Sequence, residues 1–389
     1  MIRILVAGLT GQLGHGLAGR AAAAGVELVP VVRPVGRWSA GTRVRRTFPQ
    51  LPELAGAAVA GDVTQPHWGL EPGQLDQLAS EVDLVLNVAA ETNWAAPARR
   101  LHQVNVVGAL HGLTLARRLR ERHPRCGAYV HASSVFVAGG RVGVVPEVPF
   151  GPDSQRTEYE HSKWLAEHYL LRRVAGPAPA PASGSNGHRG PQVAVGIARI
   201  GGLLGDATTG HTAKLSSLYQ LAAARHRRWP WVPVTSQGRV DMLPRDRAAD
   251  ALVHFALGVL RLADPRPQIA HVCAGEHAPT LRSVLAAFAD LDPHRVHAPL
   301  RAVPAPERPL LWLSTELPRL QRLAPTATNT VTGLRYLCLN RVFERDRLAR
   351  FLPGDPPSVT AELIARLAFD LPAPASRPRA LDRPFARYA

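Results

Sequence analysis

The 389-residue chain is 46% hydrophobic and 20% charged, with a formal net charge of +16. That length fits one large α/β unit with an appended lobe, and no apolar run approaches the roughly 20 residues of a membrane span. The arginines are dispersed rather than gathered on a nucleic-acid-binding module, so the charge reads as steering of an acidic partner.

Ile2 to Ala7 is a short apolar run, expected to be a buried parallel strand. It is too short for a secretory signal and leads straight into a glycine loop, Gly8-Leu9-Thr10-Gly11-Gln12-Leu13-Gly14. An alanine-rich helix to Ala24, capped by Gly25, and a second strand over Val26 to Val32 follow. Strand, glycine loop, helix and strand make the βαβ unit of a dinucleotide-binding fold. Gly8 permits the tight turn, Gly11 lets backbone approach pyrophosphate, and Gly14 lets the helix pack on the strand; the helix N-terminus attracts the anion. A ligand-free glycine turn is the plainer alternative.

The alternation continues. Further strands are expected at Ala57 to Ala60, Val82 to Val88, Gly127 to Ala132 and Val193 to Ala198, and helices at about 98–122 and 157–174. This succession predicts a doubly wound parallel sheet with right-handed crossovers. Residues 176–191, rich in Pro, Gly, Ala and Ser, read as a flexible insert. Helical segments are expected at about 213–227, 246–262, 279–290, 310–323 and 357–368. Residues 1–205 are thus read as the dinucleotide-binding domain and 206–371 as a substrate lobe interleaved with the last strands; 372–389 form a disordered tail. The widely spaced Cys126, Cys273 and Cys338 predict reduced thiols, no structural metal and a cytoplasmic chain.

The chemistry-bearing residues fall at or beyond strand ends, where open α/β sheets bind ligands. Lysine occurs only at Lys163 and Lys214 in this arginine-rich chain, and Lys163 closes Tyr159-Glu160-His161-Ser162-Lys163. On a helix that spacing puts phenol and amine on one face. An ammonium about 4 Å away, at an effective dielectric near 20, is worth roughly 4 kcal/mol, or about three pKa units, which would bring the phenol toward neutrality. Ser134, at a strand end, can hydrogen-bond a substrate carbonyl while Tyr159 delivers a proton. Asn105 can hold a water relaying protons to Lys163; a helix-capping Asn is its alternative. The second strand ends in Arg33, followed by Arg37 and Arg43, where an acidic residue would favour NAD. Guanidinium favours a 2′-phosphate, hence NADP(H), and Asp62 is placed to accept from the adenine amino group.

Together these residues resemble the extended short-chain dehydrogenase/reductase superfamily, and within it the thioester reductase and fatty acyl-CoA reductase branch. The resemblance covers about residues 1–290. It rests on the glycine loop, Ala89-Ala90-Glu91-Thr92-Asn93-Trp94, Asn105-Val106-Val107-Gly108 and Tyr159 to Glu167. Arg199-Ile200-Gly201, Gly205-Asp206, Thr209-Gly210 and Asp241 to Asp246 add to it. Many branch members carry Ser-Thr where this chain has Ser133-Ser134. The resemblance implies a Ser134, Tyr159, Lys163 and Asn105 site, with Lys163 also on the nicotinamide ribose. It implies an NADP(H) site built from Gly8, Thr10, Gly11, Gln12, Leu13, Gly14, Arg33, Arg43, Asp62, Val63, Ala89, Ala90, Asn105, Tyr159, Lys163 and Ile200. The expected activity is reduction of an acyl thioester, on coenzyme A or an acidic carrier protein, to aldehyde or onward to alcohol. The alternatives are a ketone or aldehyde reductase, a dehydrogenase or epimerase acting on a free hydroxyl compound, and a non-catalytic NADP-binding regulator. Monomer and dimer both stay open.

Overall fold

The computed structural model describes residues 1–152, 155–175, 192–213, 231–235, 237–291, 301–304 and 339–369. The insert expected at 176–191, the helix at 310–323, nearly all of that at 213–227, Cys338 and the tail from residue 372 lie outside these residues.

Strands β1 (Ile2–Ala7), β2 (Val26–Val32), β3 (Val59–Ala60), β4 (Leu84–Asn87) and β5 (Ala128–Ser134) fall where apolar runs predict them. β6 (Gly143–Val145), β7 (Ala194–Ile200), β8 (Gly202–Leu204), β9 (Trp231–Val234), β10 (Met242–Pro244), β11 (Gln268–Val272), β12 (Arg301–Pro304) and β13 (Arg341–Phe343) complete the set among the described residues. Seven form one parallel sheet, in the order β11-β7-β5-β4-β1-β2-β3. Every residue of β4, β5 and β7 is buried, as strands covered on both faces require. The remaining strands pair two by two, β8 with β10, β9 with β12 and β6 with β13.

Between them run α1 (Gln12–Arg20), α2 (Ala40–Thr47), α3 (Pro52–Gly56), α4 (Pro72–Glu81), α5 (Ala98–Leu101), α6 (Gly108–Arg122) and α7 (Glu158–Ala175). Side chains alternate across the sheet with period two. Ile4 and Val6 of β1 share one core with Leu17 of α1, Val44 of α2 and Phe255 of the helix Arg245–Leu262. Leu5 and Ala7 face the other layer, with Leu78 of α4, Leu113 of α6 and Ala166 of α7. The first helix ends earlier than expected: α1 stops at Arg20, and a 3-10 turn over Ala22–Ala24 reaches Gly25 in the left-handed conformation (φ 68°). The helix expected over 98–122 carries a π turn at His102–Val107, between α5 and α6. Helices α2, α3 and α4 were not anticipated.

Among the described residues no helix is long and apolar enough to cross a membrane, and no cluster of His, Cys, Asp and Glu could hold a metal ion. Cys126 and Cys273 are buried free thiols.

Candidate active site

The connections reverse direction between β1 and β4, which lie side by side. Beyond their carboxyl ends opens a groove of about 670 Å³, at the switch point where such sheets bind ligands. Gly8, Thr10, Gly11, Gln12 and Leu13 form one wall. Ala89 and Ala90, after β4, face them. Gly8 has φ 93°, and a Cβ on it would fall 2.4 Å from the Ala89 nitrogen, so the two loops touch as closely as backbone allows.

Gly14 is not on the groove wall. A Cβ there would meet the Leu9 carbonyl oxygen at 2.1 Å, so Gly14 closes the loop on itself rather than docking the helix on the strand. Helix docking belongs to Gly16: its Cβ would strike the Arg245 carbonyl at 2.5 Å, where α1 packs on the helix Arg245–Leu262. The α1 N-terminus has Gly11 as its cap and no acidic residue in its first turn, leaving its amide end free of side-chain caps. The Gln12 carboxamide ties this turn to a distant segment, donating to the Leu204 carbonyl (2.8 Å) and Thr212 hydroxyl (3.0 Å) and accepting from the Ala213 amide (2.8 Å).

At one end of the groove stand Arg33, Arg43, Asp62 and Val63. Arg43, on α2, donates to the Arg33 carbonyl, and the Arg33 guanidinium sits 3.6 Å from the Asp62 carboxylate. The other Asp62 oxygen accepts from the Thr64 amide and hydroxyl. Asp62 thus ties the loop to Arg33 and still lines the groove. Arg37 is exposed and off the groove.

At the other end lie Ser134, Tyr159, Lys163 and Ile200. Ser134 ends β5 beside Tyr159, near the start of α7; its hydroxyl accepts from the Phe136 amide (3.3 Å) and reaches the Ile200 carbonyl (3.5 Å). One turn on, the Lys163 ammonium donates to the Ala132 carbonyl at 3.1 Å. Tyr159 is 6% exposed, and burial pushes its phenol up to about 12, against the lowering pull of the Ser134 hydroxyl. This reverses the acidification expected from the Tyr-Lys spacing. Burial also drives Lys163 down to about 8, against the raising influence of Glu167. The spacing conveys the attraction within the pair but not the loss of water around both groups.

Asn105 lies in the π turn, 0% exposed and off the groove wall. Its amide donates to the Glu91 carbonyl (3.1 Å) and the Ser162 hydroxyl (2.9 Å), and its oxygen accepts from the Glu91 amide (2.8 Å). Both N–H groups are thus committed, and Asn105 clamps the loop after β4 to α7 in place of the expected relay-water site. Being neither helix cap nor groove wall, it is placed for support rather than for cofactor contact.

Sequence reasoning missed the walls around the phenol. Trp94 meets Phe136 edge-on at 5.5 Å and lies 6.1 Å from the Tyr159 ring. Met242, Phe343, Arg239 and Arg341 also line the groove. Trp94 stands inside the Ala89 to Trp94 motif, so its signal was present. Arg341 and Phe343 lie beyond residue 290 and reach the groove only because β13 pairs with β6. The arrangement fits an elongated dinucleotide phosphate: a glycine cradle without room for a Cβ, an uncapped helix N-terminus, guanidinium groups at one end and hydroxyl groups at the other.

The family model described as male sterility protein, an NAD-binding family, matches residues 55–252, half of the chain. One of the linear gramicidin synthase proteins of Brevibacillus parabrevis is 30% identical over 240 residues, which cover 58% of this chain and 4% of that protein. Fatty acyl-CoA reductase 8 of Arabidopsis thaliana is 33% identical over 93 residues, 24% of this chain and 18% of that protein. The chain thus spans only a small part of the length of these relatives. Among solved structures, the terminal R domain from the myxalamid PKS-NRPS biosynthetic pathway superposes with a TM-score of 0.69 at 21% identity. That superposition covers 95% of this chain and 89% of the R domain.

Proposed function

The chain belongs to the male sterility protein family of NAD-binding proteins, and on that premise we propose that it is an NADPH-dependent reductase of acyl thioesters. The observation that carries this reading is the pairing of Ser134 with Tyr159 at one end of a groove whose other end holds Arg33 and Arg43. The extended short-chain dehydrogenase/reductase fold and the fatty acyl-CoA reductase among the relatives support it.

In this reading Arg33 and Arg43 hold the 2′-phosphate, the α1 N-terminus holds the pyrophosphate, and Lys163 holds the nicotinamide ribose. NADPH held there would supply the hydride that the thioester carbon accepts. Tyr159, held near 12, stays protonated at neutral pH, the form that donates to an oxyanion. Ser134 donates beside it, so negative charge developing on the carbonyl oxygen meets two fixed hydroxyls. As the carbonyl re-forms, the carbon–sulfur bond breaks and the thiolate leaves with the electron pair, taking its proton from solvent. Aldehyde remains beside the packed rings of Trp94 and Phe136, which limit water at the reacting carbon. Coenzyme A or an acidic carrier protein delivers the acyl group, and a net charge of +16 with Arg239 and Arg341 on the groove suits either. The first 205 residues hold the cofactor and the reacting carbonyl, and later ones such as Met242 and Phe343 complete the acyl site.

The test is NADPH consumption with a panel of acyl-CoA and acyl-carrier substrates, with thiol and aldehyde quantified. The reading expects one thiol released per aldehyde formed, and Tyr159→Phe to lose at least about a hundredfold in kcat while still binding NADPH. NADPH oxidation that releases no thiol would point instead to a free carbonyl substrate.

A further inference from the structure

Tyr159, Lys163 and Glu167 stand one turn apart on α7, and each is engaged with the end of β5. Tyr159 lies beside Ser134, Lys163 donates to the Ala132 carbonyl (3.1 Å), and the Ser133 hydroxyl donates to Glu167 Oε1 (2.5 Å). Glu167 is 3% exposed and is gripped by Arg199 of β7, itself 0% exposed, through Nε at 3.1 and 3.2 Å and Nη2 at 2.8 Å. Arg199 is fixed in turn by the Val148 carbonyl (2.8 Å), by the Phe150 ring 4.1 Å from its Cζ, and by His271 Nε2 (3.3 Å). Burying such a pair costs several kcal/mol per ion, and two apolar side chains of the same volume would often fill the space at no loss of stability. Its contact with Ser133, the neighbour of Ser134, and its place one turn from Lys163 suggest a reason for carrying it.

We infer that Glu167, locked by Arg199, is a positioning residue for the reacting groups: it supplies the counter-charge of Lys163 and anchors the strand end that presents Ser134. The inference deepens the reductase reading and rests on it for its catalytic consequence. The titratable and charged groups around Lys163 are His131 on β5, Tyr159 and Glu167 on α7, and beyond them Arg199 on β7 and His271 on β11. Burial keeps the His131 imidazole neutral, and its ring nitrogens have no partner among the described residues, so it brings no charge. Glu167 is the anion of the group, and it alone opposes the pull of burial toward a neutral amine.

Because the sequence holds only two lysines, Lys163 and Lys214, ¹³C-lysine labelling gives two side-chain signals, which a Lys214→Arg variant assigns. In Glu167→Gln the Lys163 titration midpoint falls by about half a pH unit or more, roughly threefold in acid constant. The alkaline limb of the kcat/KM profile moves down with it, and Glu167→Asp returns both. Should Glu167→Gln not fold, Glu167→Gln/Arg199→Met removes both charges, leaves neither ion unpaired, and shifts the midpoint the same way. Ser133→Ala, the loss of one hydroxyl, leaves the midpoint in place and lowers kcat more than it raises KM. A purely structural pair would lower the melting temperature and leave the midpoint where it was, and that result overturns the inference. Absence of turnover with every thioester would count against the reductase reading, while the lysine signal still judges Glu167.

Discussion

Replacing Lys163 with methionine measures what the site costs the fold. The lysine is 2% exposed, and its titration falls from 10.5 to about 8. At about 1.4 kcal/mol per pKa unit, the charged form costs the folded state about 3 kcal/mol below pH 8. Methionine follows a similar path through the core without charge, and forgoes the bond to the Ala132 carbonyl, worth about 1 kcal/mol. The variant is therefore expected to be more stable by about 2 kcal/mol at pH 7 while losing turnover. The sign with pH follows from proton binding. The unfolded chain keeps the lysine proton to about 10.5, and the folded chain releases it near 8, so stability rises with pH between these values. Tyr159 and Cys126, both pushed up to about 12 by burial, act in the opposite sense, because the folded state keeps protons the unfolded state has lost. Subtracting wild type from variant cancels them. Urea unfolding followed by tryptophan fluorescence at pH 7, 8, 9 and 10 should show the advantage of Lys163→Met shrinking as pH rises. A variant less stable at pH 7, or an advantage flat in pH, would refute the reasoning.

Arg33→Gln with Arg43→Gln should raise the KM for NADPH by roughly 10- to 100-fold, the loss of charge-assisted bonds worth about 1.5–3 kcal/mol, and leave NADH kinetics nearly unchanged. An equal effect on both cofactors would show that these guanidinium groups do not read the 2′-phosphate. Gly14→Ala should abolish NADPH binding, measured by fluorescence, because the new Cβ lies 2.1 Å from the Leu9 carbonyl oxygen. Gly19→Ala in the same helix, where a Cβ meets nothing within 4 Å, should bind normally and gain up to about 1 kcal/mol in chemical denaturation.

Much of the sheet was legible because buried parallel strands are written as Val, Ile and Leu runs, as in Val26 to Val32. The short pairs were not: Gly143–Val145 and Arg341–Phe343 are three residues each and are strands only because they meet. Ser134, Tyr159 and Lys163 could be read from spacing, since a helix puts residues four apart on one face. The polarity of Tyr159 was misjudged because burial leaves no mark on spacing. Arg199 and Glu167 stood in recognisable motifs without a role, because two charges 32 positions apart reveal their pairing only when β7 lies against β5 and α7 packs over both.

The seating of β11 on β7, and of the helix Arg245–Leu262 on α1 at Gly16, has a consequence for dissection of the chain. A fragment stopping near residue 205 would bare the hydrogen-bonding edge of β7 and strip the cover from Leu17 and its neighbours. Such a piece would be prone to self-association through that edge, making it a poor stand-in for the intact cofactor half.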